Sequence, residues 1–347
     1  MGTLELMQKE GHELVAYFYD QPSGLKAIIA VHSTKLGPAL GGCRVWPYES
    51  EEAALNDVLR LSKGMTYKSA AMGLPLGGGK AVIIINERRE TTPEMWEAFG
   101  RAVDSLGGKY ITAEDVGTKP EHLEIVRRMT KHVVGLPDTS GDPSPVTAFG
   151  VFNGMKACLE HVYGTDSFEG RTIAVQGLGA VGMSLCRHLH EAGARLVVTD
   201  LGQERVNRAV SEFGAEAVAP DDIYGVECDV FAPCALGAVL NDETIPQLKA
   251  RIVAGSANNQ LAEHRHGDML RERGVLYAPD FIINGGGVIN VYHELAPGGY
   301  DREKALARVA KIRDQVAEAI QLAEERGIST ADAAMELAER RLAAADA

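Results

Sequence analysis

Two lysines twelve residues apart, Lys68 and Lys80, stand in the segment GMTYKSAAMGLPLGGGKAVIII, with Gly77-Gly78-Gly79 directly before the second. If their ammonium groups share a cleft, one can hold a substrate carboxylate. The other, desolvated and beside a like charge, would have a lowered pKa and could serve as a general base near neutral pH. Asp115, just past an expected strand, could shuttle a proton beside them. Each also has a plainer reading: a lysine ahead of a strand as a surface charge, Asp115 as a buried structural carboxylate. The glycine run is no P-loop, because Ala81 rather than Ser or Thr follows Lys80 and the spacing differs. Three glycines would instead let the backbone approach something small.

The second run that could do chemistry is RTIAVQGLGAVGMSLCRHLHEAGARLVVTD. Gly177-x-Gly179-x-x-Gly182 follows an apolar strand and opens a helix, and the next strand ends in Asp200, 18 residues after Gly182. Gly177 permits the tight turn, Gly179 lets backbone approach a pyrophosphate, and Gly182 packs helix on sheet. The amides of the first helical turn, with Ala180 and Val181, would face the phosphates. Asp200 is placed to accept both ribose hydroxyls of NAD and would repel the additional phosphate of NADP. NAD is the expected cofactor; a glycine-rich turn that binds nothing is the alternative.

The elements that must position these residues alternate between short apolar β-rich runs and amphipathic helices, the mark of an α/β protein. Strands are expected at 27–32, 81–85 and 110–113, and helices at 50–61 (capped by Ser50) and 92–106, with a Gly-rich segment at 36–42. GLPDTSGDPSP, at 135–145, can continue neither helix nor strand and reads as an inter-domain connection. A helix at 147–162 follows, then strands at 172–176, 196–199, 230–232, 252–254 and 275–278. From Tyr300 onward the pattern is helical.

With 347 residues, 45% of them hydrophobic, the chain can fill two domains. The 35 Lys and Arg against 48 Asp and Glu leave a net charge of −13, which argues against a nucleic-acid or anionic-membrane partner. No apolar run approaches the ~20 residues of a membrane helix, and MGTLELMQKEGHE lacks the layout of a signal peptide. Five scattered cysteines read as reduced thiols, so a cytoplasmic location is expected. His188/His190 and His264/His266 have spacing two, which on a helix points them apart; no metal site is expected.

The stretches GPALGGCRVWPY, GMTYKSAAMGLPLGGGKAVI, KYITAEDVGT, DPSPVTAFGV, IAVQGLGAVG, APCALGA, AGSANNQL and YAPDFIINGGGVINV occur in order across nearly the whole chain. In them the sequence resembles the amino acid dehydrogenases of the glutamate/leucine/phenylalanine/valine group, most strongly its leucine-acting branch. The resemblance implies a two-domain α/β fold: an N-terminal catalytic and oligomerisation domain (1–140, with helix 330–347 returning to it) and a Rossmann-type NAD domain (141–329), with a cleft between. It implies Lys68 on the substrate α-carboxylate, lined by Gly41, Gly42 and Met65; Lys80 as the catalytic lysine; and Asp115 exchanging protons with the substrate nitrogen. Asn259 would help hold substrate and cofactor, with Thr147, Ala235 and Ala257 around the nicotinamide. The expected reaction is NAD-dependent oxidative deamination of a branched-chain L-amino acid to the 2-oxo acid and ammonia, in a homo-oligomer, with an octamer favoured.

By the same resemblance Leu40, Ala113, Val288 and Val291 receive the substrate side chain. Glutamate-acting members carry a lysine and a serine where Leu40 and Val291 stand, so an unpaired distal carboxylate would be strongly disfavoured here. Phenylalanine-acting members tend to have Gly at the place of Ala113 and Leu at that of Val288. L-Leucine is therefore expected first, with valine and isoleucine also turned over; a valine- or phenylalanine-acting enzyme, or a non-catalytic NAD-binding subunit, are the alternatives. Tyr292-His293 and the end at Ala347 depart from the leucine-acting pattern.

Overall fold

The computed structural model describes residues 2–86 and 91–345. The chain forms two compact units: Met1–Asp142 with Val291–Tyr300 and Ala338–Ala347, and Pro143–Asn290 with Asp301–Leu337. The first unit holds strands β1 (Leu14–Asp20), β2 (Leu25–Ser33), β3 (Ala39–Trp46), β4 (Gly77–Ile84) and β5 (Tyr110–Ala113), in the order β1-β2-β4-β3-β5. β1 and β4 run antiparallel to β2, while β3 is parallel to β4 and β5. Its helices are α1 (Thr3–Glu10), α2 (Glu51–Ala71), α3 (Pro93–Ser105) and α4 (Pro120–Met129).

Ser50 caps α2, its Oγ accepting from the Ala53 N–H at 3.0 Å. The helix runs past the expected end at Leu61 to Ala71 and so carries Met65 and Lys68. Two other expectations change. Most of the Gly-rich stretch at 36–42 belongs to β3, and Gly77–Gly79 begin β4 rather than precede it. Glycine has no side chain to show the alternation by which a strand is read.

Period-two alternation sorts the core. Leu25, Ala27, Ile29 and Val31 of β2 join Cys43, Val45, Ala81 and Ile83 in the cluster that holds Trp96 and Phe99 of α3. Ile28, Ala30 and Val82 instead cluster with Ala54, Leu55, Val58 and Leu59 of α2. Lys80, two residues from Val82, therefore leaves β4 on the α2 side.

Against α2, His12 and His32 meet edge to face with ring centroids 4.8 Å apart. His12 Nε2 bonds Ser62 Oγ at 2.9 Å, and His32 Nδ1 bonds Thr66 Oγ1 at 2.9 Å. Burial, helped by the charges of His12 and Lys63, pushes His32 down from the usual 6.5 to about 4. A depressed histidine stabilises the fold fully above its unfolded pKa, and that contribution is lost as pH falls through the folded value. His32→Asn should thus lower Tm most near pH 7, with the deficit shrinking between pH 6.5 and 4. A deficit constant with pH would refute this.

The second unit holds six parallel strands: β6 (Thr172–Gln176), β7 (Arg195–Thr199), β8 (Glu216–Ala217), β9 (Val230–Pro233), β10 (Ile252–Val253) and β11 (Leu276–Tyr277). Five of them overlap the expected strands; β8, two exposed residues long, was not foreseen. Their order is β11-β10-β9-β6-β7-β8. The chain moves outward from β6 through β7 and β8, then returns to the other side of β6 for β9 to β11. Strand order therefore reverses between β6 and β9, and open α/β sheets bind ligands outside the carboxyl ends at such a point.

The remaining helices are α5 (Ser144–Tyr163), α6 (Ala180–Glu191), α7 (Gln203–Phe213), α8 (His266–Glu272), α9 (Asp280–Ile283), α10 (Gly286–Tyr292), α11 (Arg302–Ala310), α12 (Ile312–Arg326) and α13 (Thr330–Ala344). Late in α13, Arg341 donates to the carbonyls of Ala70 and Ala71 at the end of α2, and Glu339 accepts from the Tyr67 hydroxyl at 3.4 Å. Among the described residues no helix is long and apolar enough to cross a membrane.

Candidate active site

In the first unit, Lys80 is only 7% exposed and places Nζ 2.9 Å from Asp115 Oδ2. Arg44 of β3 donates Nε–H to the same oxygen at 3.1 Å and Nη1–H to Asp57 Oδ2 of α2 at 2.9 Å. Asp57 also accepts from the Tyr48 hydroxyl at 2.7 Å and from Arg60 at 2.8 Å. Burial pushes the Asp115 carboxyl up, but Lys80, Arg44 and the Val116 N–H outweigh it and hold it below the usual carboxylate range. Arg44 was missed in the sequence, although it lies inside a quoted motif. The signal available was a charge inside an apolar strand, which is costly unless paired.

Asp115 is held by its turn as well as by its charge partners. Thr118 N–H donates to the Asp115 carbonyl at 2.9 Å, Val45 N–H to that of Val116 at 2.8 Å, and Thr118 Oγ1 to that of Cys43. Gly117 has φ +80°, and a Cβ there would lie 2.5 Å from the Val45 carbonyl oxygen. At Gly42 a Cβ would come within 2.1 Å of the Glu114 carbonyl oxygen and 2.8 Å of Asp115 Cβ. A side chain at 42 would push the carboxylate away.

The triple glycine serves the scaffold. A Cβ at 77 would meet the Ser33 carbonyl at 2.0 Å, at 78 the Thr66 nitrogen at 2.1 Å, and at 79 the Tyr110 ring at 2.6 Å. What comes close is the protein's own β2, α2 and Tyr110, which corrects the expectation of a small ligand there. Gly41 faces similar crowding, since a Cβ there would lie 1.8 Å from the Gly79 carbonyl oxygen and 3.3 Å from Met65 Cγ, and its carbonyl accepts from the Tyr110 hydroxyl at 2.6 Å. Leu40 and Ala113 are buried, and Gly42 pairs with Ala113 across β3 and β5. Lys68 is half-buried in the last turn of α2, three residues beyond Met65 and so on the same side of the helix. Val291 is buried, with Gly135 nearby.

In the second unit the three fingerprint glycines have three different surroundings. Gly177 has φ +100°, and a Cβ there would lie 2.7 Å from Ala235 Cβ. At Gly182 a Cβ would strike the Gly177 carbonyl at 2.0 Å, whereas at Gly179 nothing lies within 4 Å. The turn is closed behind and open in front. No side chain caps α6, whose first turn holds Ala180 and Val181. An open glycine, uncapped helical amides and an acid at the end of β7 fit a dinucleotide. Asp200 Oδ2 accepts from Leu178 N–H at 2.7 Å, and Oδ1 from Gly202 N–H at 2.6 Å and from Arg205 Nε at 3.0 Å and Nη2 at 2.6 Å.

Thr147 packs beside Gly286 and Gly287 at the start of α10, where Val288 is buried. Buried Ala257 lies in a loop pinned by Gln260, whose Nε2 donates to the Gly255 and Ala257 carbonyls at 2.9 and 3.0 Å. Asn259 in that loop has φ +51°, a conformation Asn tolerates better than most residues and one that recurs at functional sites.

Two family models cover most of the chain. "Glu/Leu/Phe/Val dehydrogenase, dimerisation domain" matches residues 14–132, and "Glutamate/Leucine/Phenylalanine/Valine dehydrogenase" matches 140–202 and 198–347. Leucine dehydrogenase of Bacillus cereus is 57% identical over 346 residues, 99% of this chain and 94% of that protein. Phenylalanine dehydrogenase of Caldalkalibacillus thermarum is 48% identical over 350 residues, with 99% and 94% covered. The crystal structure of L-tryptophan dehydrogenase from Nostoc punctiforme superposes with a TM-score of 0.89 at 46% identity, covering 99% of each chain. With a buried lysine paired to a half-buried aspartate in one unit, a dinucleotide fold in the other and relatives matched over almost the whole length, the chain belongs to the glutamate/leucine/phenylalanine/valine dehydrogenase family and is an amino acid dehydrogenase.

Proposed function

We propose that the protein catalyses the NAD-dependent, reversible oxidative deamination of L-leucine, with valine and isoleucine as further substrates, as a cytoplasmic homo-oligomer. The observation that carries the chemistry is the 2.9 Å contact of Lys80 with Asp115 on the α2 side of the sheet. Bound NAD would supply the hydride acceptor. Lys68 holds the α-carboxylate, and Asp115 takes a proton from the α-ammonium, freeing the nitrogen lone pair to form the imine. Lys80, once it has given its own proton to solvent, then takes a proton from water as the water oxygen adds to the imine carbon. Lys80 passes that proton to solvent and takes the carbinolamine hydroxyl proton, while Asp115 returns its proton to nitrogen, so that the C–N bond breaks and ammonia and the 2-oxo acid are released. Arg44 keeps Asp115 in place through both transfers.

Leucine is favoured because Leu40, Ala113, Val288 and Val291 are all apolar and buried, and because the Bacillus cereus relative, at higher identity than the phenylalanine- and tryptophan-acting ones, is a leucine dehydrogenase. Initial rates with Leu, Val, Ile, Phe, Trp and Glu test the reading. Leucine should give the highest kcat/KM, with valine and isoleucine within about 200-fold, since a methylene is worth only ~1–3 kcal/mol. Glutamate should fall far lower, its second carboxylate being buried without a partner. A preference for Phe, Trp or Glu would overturn the substrate assignment and leave the deamination chemistry standing.

A further inference from the structure

The acid that should read the ribose is not a lone negative charge. Asp200 is largely buried, its side chain 8% exposed, and Oδ1 already accepts three hydrogen bonds: one from the Gly202 N–H and two from Arg205. Among the described residues Oδ2 accepts only the Leu178 N–H. In this arrangement Asp200 can take one ribose hydroxyl through Oδ2, and Oδ1 has no capacity left for a second. Arg205 is 53% exposed, and among the described residues its Nη1 has no hydrogen-bond partner. Gly202 makes room for it, since a Cβ there would lie 2.8 Å from the guanidinium carbon. The chain thus seats a guanidinium on the acid at the end of β7.

We propose that Arg205 is a cofactor-specificity residue that anchors a 2′-phosphate, so that the protein binds NADP as well as NAD. The inference rests on the dinucleotide reading of the Gly177–Gly182 turn and deepens it. Asp200 alone would repel a 2′-phosphate, but paired with Arg205 it presents little net charge. The remaining guanidinium N–H groups offer charge-assisted hydrogen bonds to phosphate oxygens. An arginine near this strand end is the usual means of accommodating that group.

The test is calorimetric binding of 2′,5′-ADP and 5′-AMP, adenosine 5′-phosphate with and without the 2′-phosphate that distinguishes the two cofactors, to the intact protein without substrate. In the wild type the two affinities should lie within about tenfold. Arg205→Gln should weaken 2′,5′-ADP about ten- to hundredfold, the worth of hydrogen bonds to a charged group, and change 5′-AMP less than threefold. Arg205→Lys should keep part of the 2′,5′-ADP affinity. Equal losses for both ligands would make Arg205 a mere support for Asp200 and overturn the proposal, as would a wild type that binds 5′-AMP but not 2′,5′-ADP. Failure of both ligands to bind would overturn the dinucleotide site itself, and the proposal with it.

Discussion

Lys80→Ala is expected to cut kcat with leucine by about 10²–10⁴-fold, the usual worth of a positioned acid–base group, while NAD affinity measured by titration stays within about twofold. The separation follows from the fold, because Lys80 belongs to the sheet of the first unit and the glycine fingerprint to the second. Removing one member of a buried pair can cost several kcal/mol when the other is left alone. Here Asp115 keeps Arg44 on the same carboxylate oxygen, so the fold should survive. Lys80→Gln, which retains a hydrogen bond to Asp115, guards against the possibility that the alanine variant is merely unfolded. If either folded variant retained more than a tenth of the wild-type rate, the lysine would have no place in the chemistry.

Asp115→Asn should have a loss of similar size, since an amide occupies the same space and cannot take a proton. Its pH behaviour gives a second check. With its pKa depressed in the folded state, Asp115 stays ionised as pH falls into the acid range, and its contribution to stability, complete above the unfolded value, is lost only below that value. No acid limb from Asp115 should therefore appear in kcat/KM above about pH 5. Arg44→Met removes one of the two cations on Oδ2, so the Asp115 pKa rises and the acid limb should move to higher pH. An unshifted profile in a folded Arg44→Met variant would deny the arginine its positioning role.

The second unit was open to a sequence reading because its strands are apolar runs with side chains that announce them. β6 spans the expected residues, and the βαβ turn follows it directly. The first unit was harder. β3 and the start of β4 are built from glycines whose purpose lies in distant partners: the Gly79 carbonyl behind Gly41, the Tyr110 ring beside Gly79 and Thr66 over Gly78. None of these is near in sequence. Lys80 and Asp115 were visible as reactive types, but their 2.9 Å contact and the link through Arg44 to Asp57 depend on the β4-β3-β5 order, which a linear pattern does not reveal. Likewise the fingerprint showed Asp200, while the hold of Arg205 upon it required coordinates.

Arg341 ties down the end of α2 by occupying the Ala70 and Ala71 carbonyls, groups that a helix otherwise leaves unpaired at its terminus. The clasp closes two and three residues beyond Lys68, although some 270 residues of chain separate its two halves. Under the role proposed for Lys68, changes at Arg341 would act as a remote adjustment of how firmly the amino acid is gripped.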